Sequence, residues 1–203
     1  MRLSEKTIEL NFCAQLTAAT PTPVLWFGLT QRQEAAAGFD AATRFHGRVL
    51  LFQFKASDYI LRSGYRRFYL SHHQMKALQT RAKGRMRSVF YAFPFLGTTV
   101  ELASNPLLLT QTGLLDVSTL PSIGPPTTSV GSPRKNELHY ADVRPWAATL
   151  HSEPVDVRLE PAAELAAGRF READGLGRLF ESFNDFWDFR ATVGGTMAAA
   201  ILL

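Results

Sequence analysis

GFDAATRFHGRVLLFQFKAS, residues 38–57, decides how this chain folds. Two runs, Phe39–Phe45 and Arg48–Lys55, are rich in apolar residues and are separated by His46-Gly47, with glycine at the second turn position. That pattern reads as a β-hairpin. If Phe45 faces Arg48 across the turn, Asp40 lies opposite Gln53. Side chains alternate along a strand, so Asp40, Ala42, Arg44, Val49, Leu51, Gln53 and Lys55 share one face. Phe39, Ala41, Phe45, Leu50, Phe52 and Phe54 take the other. A carboxylate, a carboxamide and an ammonium then meet at one end of an otherwise apolar sheet. Polar groups in such a place need a partner or a task.

The flanking segments extend the pattern. Residues 4–19 read as a helix, with Ser4 as cap, Glu5 in the first turn and Ile8, Phe12, Leu16 and Ala19 in one apolar stripe. Pro21 and Pro23 end it. Val24–Leu29 reads as a buried strand, and Gln31–Gly38 as a polar, alanine-rich loop. Residues 58–70 are basic and aromatic without a clear period. Ser71–Lys83 reads as a helix with Met75, Leu78 and Ala82 on one face, stopped by Gly84. Ser88–Leu96 reads as another buried strand, with Pro94 near its end. Helix, strand, strand, strand, helix, strand is an α/β core of about 100 residues.

Residues 104–136 are rich in Pro, Ser, Thr and Gly and read as a long irregular excursion. Residues 137–159 carry one or two strands around Trp146. Residues 161–190 suggest helices, with Phe180, Phe183 and Trp187 at helical spacing. The expected organisation is a core over residues 1–103 and a C-terminal extension over 104–203 packed on it.

Composition narrows the class. Of 203 residues, 46% are hydrophobic and 20% charged, the profile of a globular chain. A single cysteine, Cys13, excludes an internal disulfide framework and a cysteine-rich zinc site; on the first helix it reads as core. The opening MRLSEKTIEL has no apolar signal core, and Thr196–Leu203 is too short to span a bilayer, so a cytoplasmic protein without a membrane segment is expected. Charge is uneven. Residues 44–87 hold eleven Lys/Arg and one acid, Asp58, while the rest of the chain holds 11 bases and 17 acids. A basic block in a near-neutral chain suits a polyanion-facing surface. Arg62, Arg66, Arg67, Arg81, Lys83, Arg85 and Arg87, interleaved with Tyr59, Tyr65, Phe68 and Tyr69, are the candidate contacts to a nucleic-acid backbone. A solvated face with aromatic anchors in the core is the plain alternative.

The task that suits the polar trio is metal-dependent phosphodiester cleavage. Asp40 is a hard oxygen ligand for Mg²⁺ (or Mn²⁺), the Gln53 side-chain oxygen is a neutral second, and the backbone carbonyl of Phe54 completes the set. Lys55 would hold or activate the attacking water, or offset charge on the pentavalent transition state. Glu9 on the first helix would bind the metal directly or through water, and Glu34 is a weaker candidate to assist. His72 and His73 are adjacent and point apart on a helix, so they form no two-ligand pair; one of them, or Gln74, is placed to line the site.

Gly38-Phe39-Asp40 followed by Gln53-Phe54-Lys55 resembles the PD-(D/E)XK nuclease superfamily, and the Gln-x-Lys variant resembles its Mrr-like branch. The resemblance covers about residues 4–100. It implies a restriction-endonuclease-like core, with a mixed central sheet flanked by helices. It also implies that Asp40, Gln53 and Lys55 are catalytic, with Glu9 as the helix acid. The usual proline before the aspartate is here Phe39. The second acid is here Gln53, which leaves fewer negative ligands for the metal. The implied activity is endonucleolytic hydrolysis of DNA, with RNA the other candidate substrate, in defence against foreign DNA or in repair. Sequence specificity would come from a homodimer, a partner protein or the C-terminal half. Two other readings stand beside it. One is a catalytically inactive nuclease-like fold acting as a nucleic-acid-binding or assembly subunit. The other is a structural protein in which the polar trio is incidental.

Overall fold

The computed structural model describes residues 1–21, 23–29, 34, 37–45, 48–57, 59–60, 65–83, 87–104, 107–121, 136–141, 146–150, 155–168 and 198–201. The hairpin forms as the alternation predicts. Strands β2 (Ala41–Phe45) and β3 (Arg48–Phe54) pair antiparallel with Phe45 opposite Arg48 and Ala41 opposite Phe52. The His46-Gly47 turn itself lies outside the described residues.

Strand β1 (Leu25–Gly28) pairs antiparallel with β2, and β6 (Val89–Pro94) pairs parallel with β3. The parallel pair requires a crossover, which contains β4 (Tyr59–Ile60), β5 (Tyr65–Leu70) and helix α2 (His72–Ala82). Helix α1 (Glu5–Ala18) lies on the opposite face of the sheet from α2. It starts where predicted, with Ser4 Oγ accepting from Thr7 N at 3.0 Å. The α/β class and the mixed central sheet follow from these pairings.

The second half of the chain completes this body. Strand β7 (Thr112–Asp116) pairs antiparallel with β6, and β11 (Glu160–Pro161) pairs with β7. Strand β12 (Ala198–Ile201) pairs with β1. The sheet order is β11-β7-β6-β3-β2-β1-β12. A second sheet, all antiparallel, has the order β10-β9-β8-β5-β4, where β8 is Asn136–Ala141, β9 Ala147–Leu150 and β10 Val155–Arg158. Short helices α3 (Thr99–Ser104) and α4 (Ala162–Ala166) and two 3₁₀ turns, Leu108–Gln111 and Val117–Thr119, complete the described elements.

Several expectations change accordingly. The unassigned stretch 58–70 supplies β4 and β5. The irregular excursion contains β7, whose Leu114 and Leu115 are fully buried. Three strands, not one or two, occupy 136–158. The expected boundary at 103/104 falls between elements that share both sheets, since β5 pairs with β8 and β6 with β7. Phe180, Phe183 and Trp187 lie outside the described residues, as does most of the helical stretch expected over 161–190.

Two cores flank the large sheet. On the α1 side, Ile8, Phe12 and Leu16 pack on Trp26, Leu50, Phe52, Phe54 and Phe90. Cys13 is buried there, as expected, and burial pushes its thiol pKa up. On the other side, Met75 and Leu78 of α2 pack with Val49, Leu51, Tyr91 and Phe93 and with Phe68, Leu70 and Leu150 of the second sheet. Phe39 sits in this second core, not with Phe52 as strict alternation predicts. The reason is local. Gly38 has φ 81, and the chain turns there before β2 begins.

Gly38 also lets α2 approach closely. A Cβ at Gly38 would lie 3.2 Å from Ala77 Cβ. Gly38→Ala is therefore expected to lower stability by about 1–2 kcal/mol from the left-handed backbone alone. Urea unfolding of the two proteins measures it, and unchanged stability contradicts the assigned turn.

Candidate active site

Asp40 stands one residue before β2. Its backbone N–H donates to Phe52 O at 2.9 Å. Its side chain does what the strand has not yet begun to do: Oδ2 accepts the Phe54 N–H at 2.7 Å, at the end of β3. The same oxygen accepts Gln53 Nε2 at 2.7 Å. Gln53 is 1% exposed. Its Nε2 also donates to the Phe54 carbonyl at 3.1 Å, and its Oε1 accepts Gln74 Nε2, from the first turn of α2, at 2.7 Å. Carboxylate, carboxamide and the Phe54 backbone thus converge as the hairpin register predicts.

Lys55 follows directly. Its backbone N–H donates to Ala92 O of β6 at 3.0 Å, which fixes it at the sheet end. Lys55 is buried, and its Nζ reaches Glu5 Oε1 at 3.4 Å. Glu5, not Glu9, is the helix acid that touches the trio. Glu9 is buried and bound at 2.8 and 2.9 Å by Lys6. Glu9 and Glu5 are four residues apart on one helix face, so the i, i+4 rule was the signal that could have found Glu5.

The electrostatics join these groups. Burial pushes the Asp40 pKa up to about 7, against the opposing pull of the Phe54 N–H, Lys55 and Gln53, with Glu5 adding to the rise. Glu34 is raised as well, by burial first, with Lys6 opposing and Glu9 and Glu5 adding. Lys6 is desolvated, yet Glu9, Glu34 and Asp40 hold its ammonium above the usual range. Asp40, Glu34 and Lys6 thus each feel charges carried by α1, and Asp40 also feels Lys55 at the end of β3. Tyr91, opposite Gln53 on β6, is fully buried, and burial together with the charge of Asp40 raises its phenol.

A divalent cation would meet a mixed donor set here. Among the described residues, no group of three or more His, Cys, Asp and Glu is placed to hold a metal. The relevant atoms are Asp40 Oδ2, the Gln53 carboxamide and Phe54 O. The carboxamide nitrogen lies 2.7 Å from the first and 3.1 Å from the last. Adjacent oxygens around octahedral Mg²⁺ at about 2.05 Å are about 2.9 Å apart. These two separations are near that value, while the central atom is an N–H donor. Turning the Gln53 carboxamide over exchanges isosteric N and O and makes all three atoms acceptors.

Several of the arginines expected to contact nucleic acid have partners within the protein. Arg66 is buried and paired with Glu101 at 3.3 Å. Arg81 Nε donates to Ala37 O at 2.8 Å and its guanidinium lies 5.9 Å from the Phe39 ring centre, which ties α2 to the entry of β2. Arg87 pairs with Glu160 at 2.5 Å. Each of these three thus bonds an acid or a carbonyl of the protein itself. Arg67 stacks over Tyr69 at 4.6 Å, and Lys83 is exposed at the end of α2. Arg62 and Arg85 lie outside the described residues. His72 and Gln74 are half-buried in the first turn of α2 while His73 is exposed, and Gln74 is the one bonded to the site.

The chain was compared with models of known protein families, with curated proteins and with solved structures, and it matches none of them.

Proposed function

We propose that this chain is a metal-dependent endonuclease of PD-(D/E)XK type that hydrolyses phosphodiester bonds in DNA in the cytoplasm. One observation carries the reading. The Asp40 carboxylate is anchored on the Phe54 N–H at the end of β3, in contact with Gln53 and with Lys55 beside it. Asp40, Gln53 and the Phe54 carbonyl would hold Mg²⁺ or Mn²⁺, which supplies charge for the phosphate and a water of lowered pKa. The chain's own residues do the rest. Asp40 offers a carboxylate whose second oxygen, Oδ1, accepts no hydrogen bond among the described residues. Lys55, steadied by Glu5, places an ammonium where negative charge develops on phosphorus. Of the cations expected at the DNA backbone, Lys83 is exposed at the end of α2 and Arg67 is half-buried beside Tyr69.

A second reading draws on the orientation of Gln53, which turns N–H and not oxygen toward Asp40. An inactive nuclease-like fold that binds nucleic acid has no need of the acceptor orientation. One assay separates them. The full chain is incubated with supercoiled plasmid, linear duplex and RNA in Mg²⁺, Mn²⁺ or EDTA. The expected result is DNA cleavage with either metal and none in EDTA. Salt-sensitive DNA binding without cleavage selects the inactive fold. Neither binding nor cleavage defeats both.

A further inference from the structure

We propose that Gln74 is a positioning residue: it sets which end of the Gln53 carboxamide faces Asp40, and so whether the site accepts a divalent cation. The proposal rests on the metal-site reading of Asp40 and Gln53. Two carboxamides stand in series from α2 to the hairpin. Gln74 Nε2 donates to Gln53 Oε1 at 2.7 Å, and Gln53 Nε2 donates onward to Asp40 Oδ2 at 2.7 Å and to Phe54 O at 3.1 Å. In this arrangement Asp40 Oδ2 and Phe54 O accept N–H groups, and Gln53 turns no oxygen toward Asp40.

The far end of the series is unbalanced. Gln74 Oε1 is buried and has no hydrogen-bond partner among the described residues. A buried carbonyl without a donor is unfavourable. If both carboxamides turn over, Gln74 Oε1 accepts Gln53 Nε2, and Gln53 Oε1 joins Asp40 Oδ2 and Phe54 O. Three acceptors then face one another, an arrangement unfavourable by itself and favourable around a cation. Gln53 cannot hold this orientation alone, because its buried N–H₂ group needs the acceptor that Gln74 provides. Gln74 is the residue able to serve both orientations, since it carries a donor and an acceptor on one planar group.

The test is a Mn²⁺ titration of the full chain by calorimetry, without nucleic acid. Four proteins are compared: wild type, Gln74→Met, Gln53→Glu and the double variant. Methionine keeps the volume and helix preference and removes both amide atoms. Glutamate at 53 offers oxygen from either end, so it has no orientation to set. Gln74→Met is expected to weaken Mn²⁺ binding by about tenfold in the wild-type background, the equivalent of one buried hydrogen bond. In the Gln53→Glu background the change is expected to be less than about twofold. An equal loss in both backgrounds overturns the proposal, since Gln74 would then act through packing. Gln74→Glu, an acceptor only, covers the case in which the methionine variant does not fold: tighter binding supports the proposal and unchanged binding overturns it. Asp40→Ala addresses the underlying reading separately. If that variant binds Mn²⁺ as wild type does, or wild type binds none, the metal site itself is overturned and Gln74 with it.

Discussion

At pH 8 and without metal, Asp40→Asn is expected to be more stable than the wild type, and at pH 4 to be equal to it. The sign follows from the raised pKa. Asp40 titrates near 7 in the folded protein, against an ordinary value of 3.8. Between those values the native state keeps a proton that the unfolded chain has released. Stability therefore falls as pH rises through that window and levels off above about 7. Three pKa units at 1.36 kcal/mol each set an upper bound of about 4 kcal/mol on the gain. The realised gain is smaller, because asparagine gives up charged hydrogen bonds from Phe54 N and Gln53 Nε2. Urea midpoints at the two pH values, in EDTA, measure it. Mg²⁺ adds a second contrast. It stabilises only a protein that binds it, by about 2.7 kcal/mol at a hundredfold excess over Kd. Wild type is expected to respond and Asp40→Asn not to. Cleavage by the variant is expected to drop by at least about 10²-fold. A variant that is less stable at pH 8, or that cleaves normally, contradicts the electrostatic description of this carboxylate.

Phe52→Ala has the largest expected cost to folding. Phe52 is completely buried at the centre of β3. Its ring lies 5.4 Å from Phe12, 6.0 Å from Trp26, 6.1 Å from Phe54 and 5.9 Å from Phe90, centre to centre. It therefore joins α1 to β1 and β6 as well as to the end of its own strand. Truncation removes the ring and leaves a cavity that four aromatic neighbours cannot fill without shifting. The expected loss is about 3–5 kcal/mol, a large share of the roughly 5–15 kcal/mol by which a domain of this kind is stable. Leu10, on the exposed side of α1 and 60% accessible, is the control, with an expected effect within about 0.5 kcal/mol on substitution by alanine. Equal losses at the two positions would show that Phe52 is not where the α1 core is concentrated.

The hairpin was legible because its information is local. Alternation over Ala41–Phe45 and Arg48–Phe54, with a short turn, specifies register within one segment, and the register delivers Gln53 to Asp40. The first and second helices were legible from caps and apolar spacing for the same reason. Strand β7 was not, since TGLLD sits among prolines and glycines and becomes a strand by pairing with β6. Strands β4 and β5 were hidden by their charge: Arg66 and Arg67 read as surface, yet Arg66 is buried against Glu101. Basic residues identify a polyanion-binding face only when the fold leaves them in water, and composition cannot say which ones it will. Glu5 was read only as a first-turn acid of α1, and Lys6 carried no reading. Their part in the site depends on where the helix lands on the sheet, which is tertiary information.

Both outer strands of the large sheet, β11 and β12, come late in the chain. On the ribosome, β1 emerges early and waits with one unpaired edge until residues 198–201 arrive. During synthesis that edge is open to pairing with another nascent chain. Shortening the chain before Ala198 recreates the same open edge in the finished protein, so chains shortened this way are expected to aggregate more readily than the full chain.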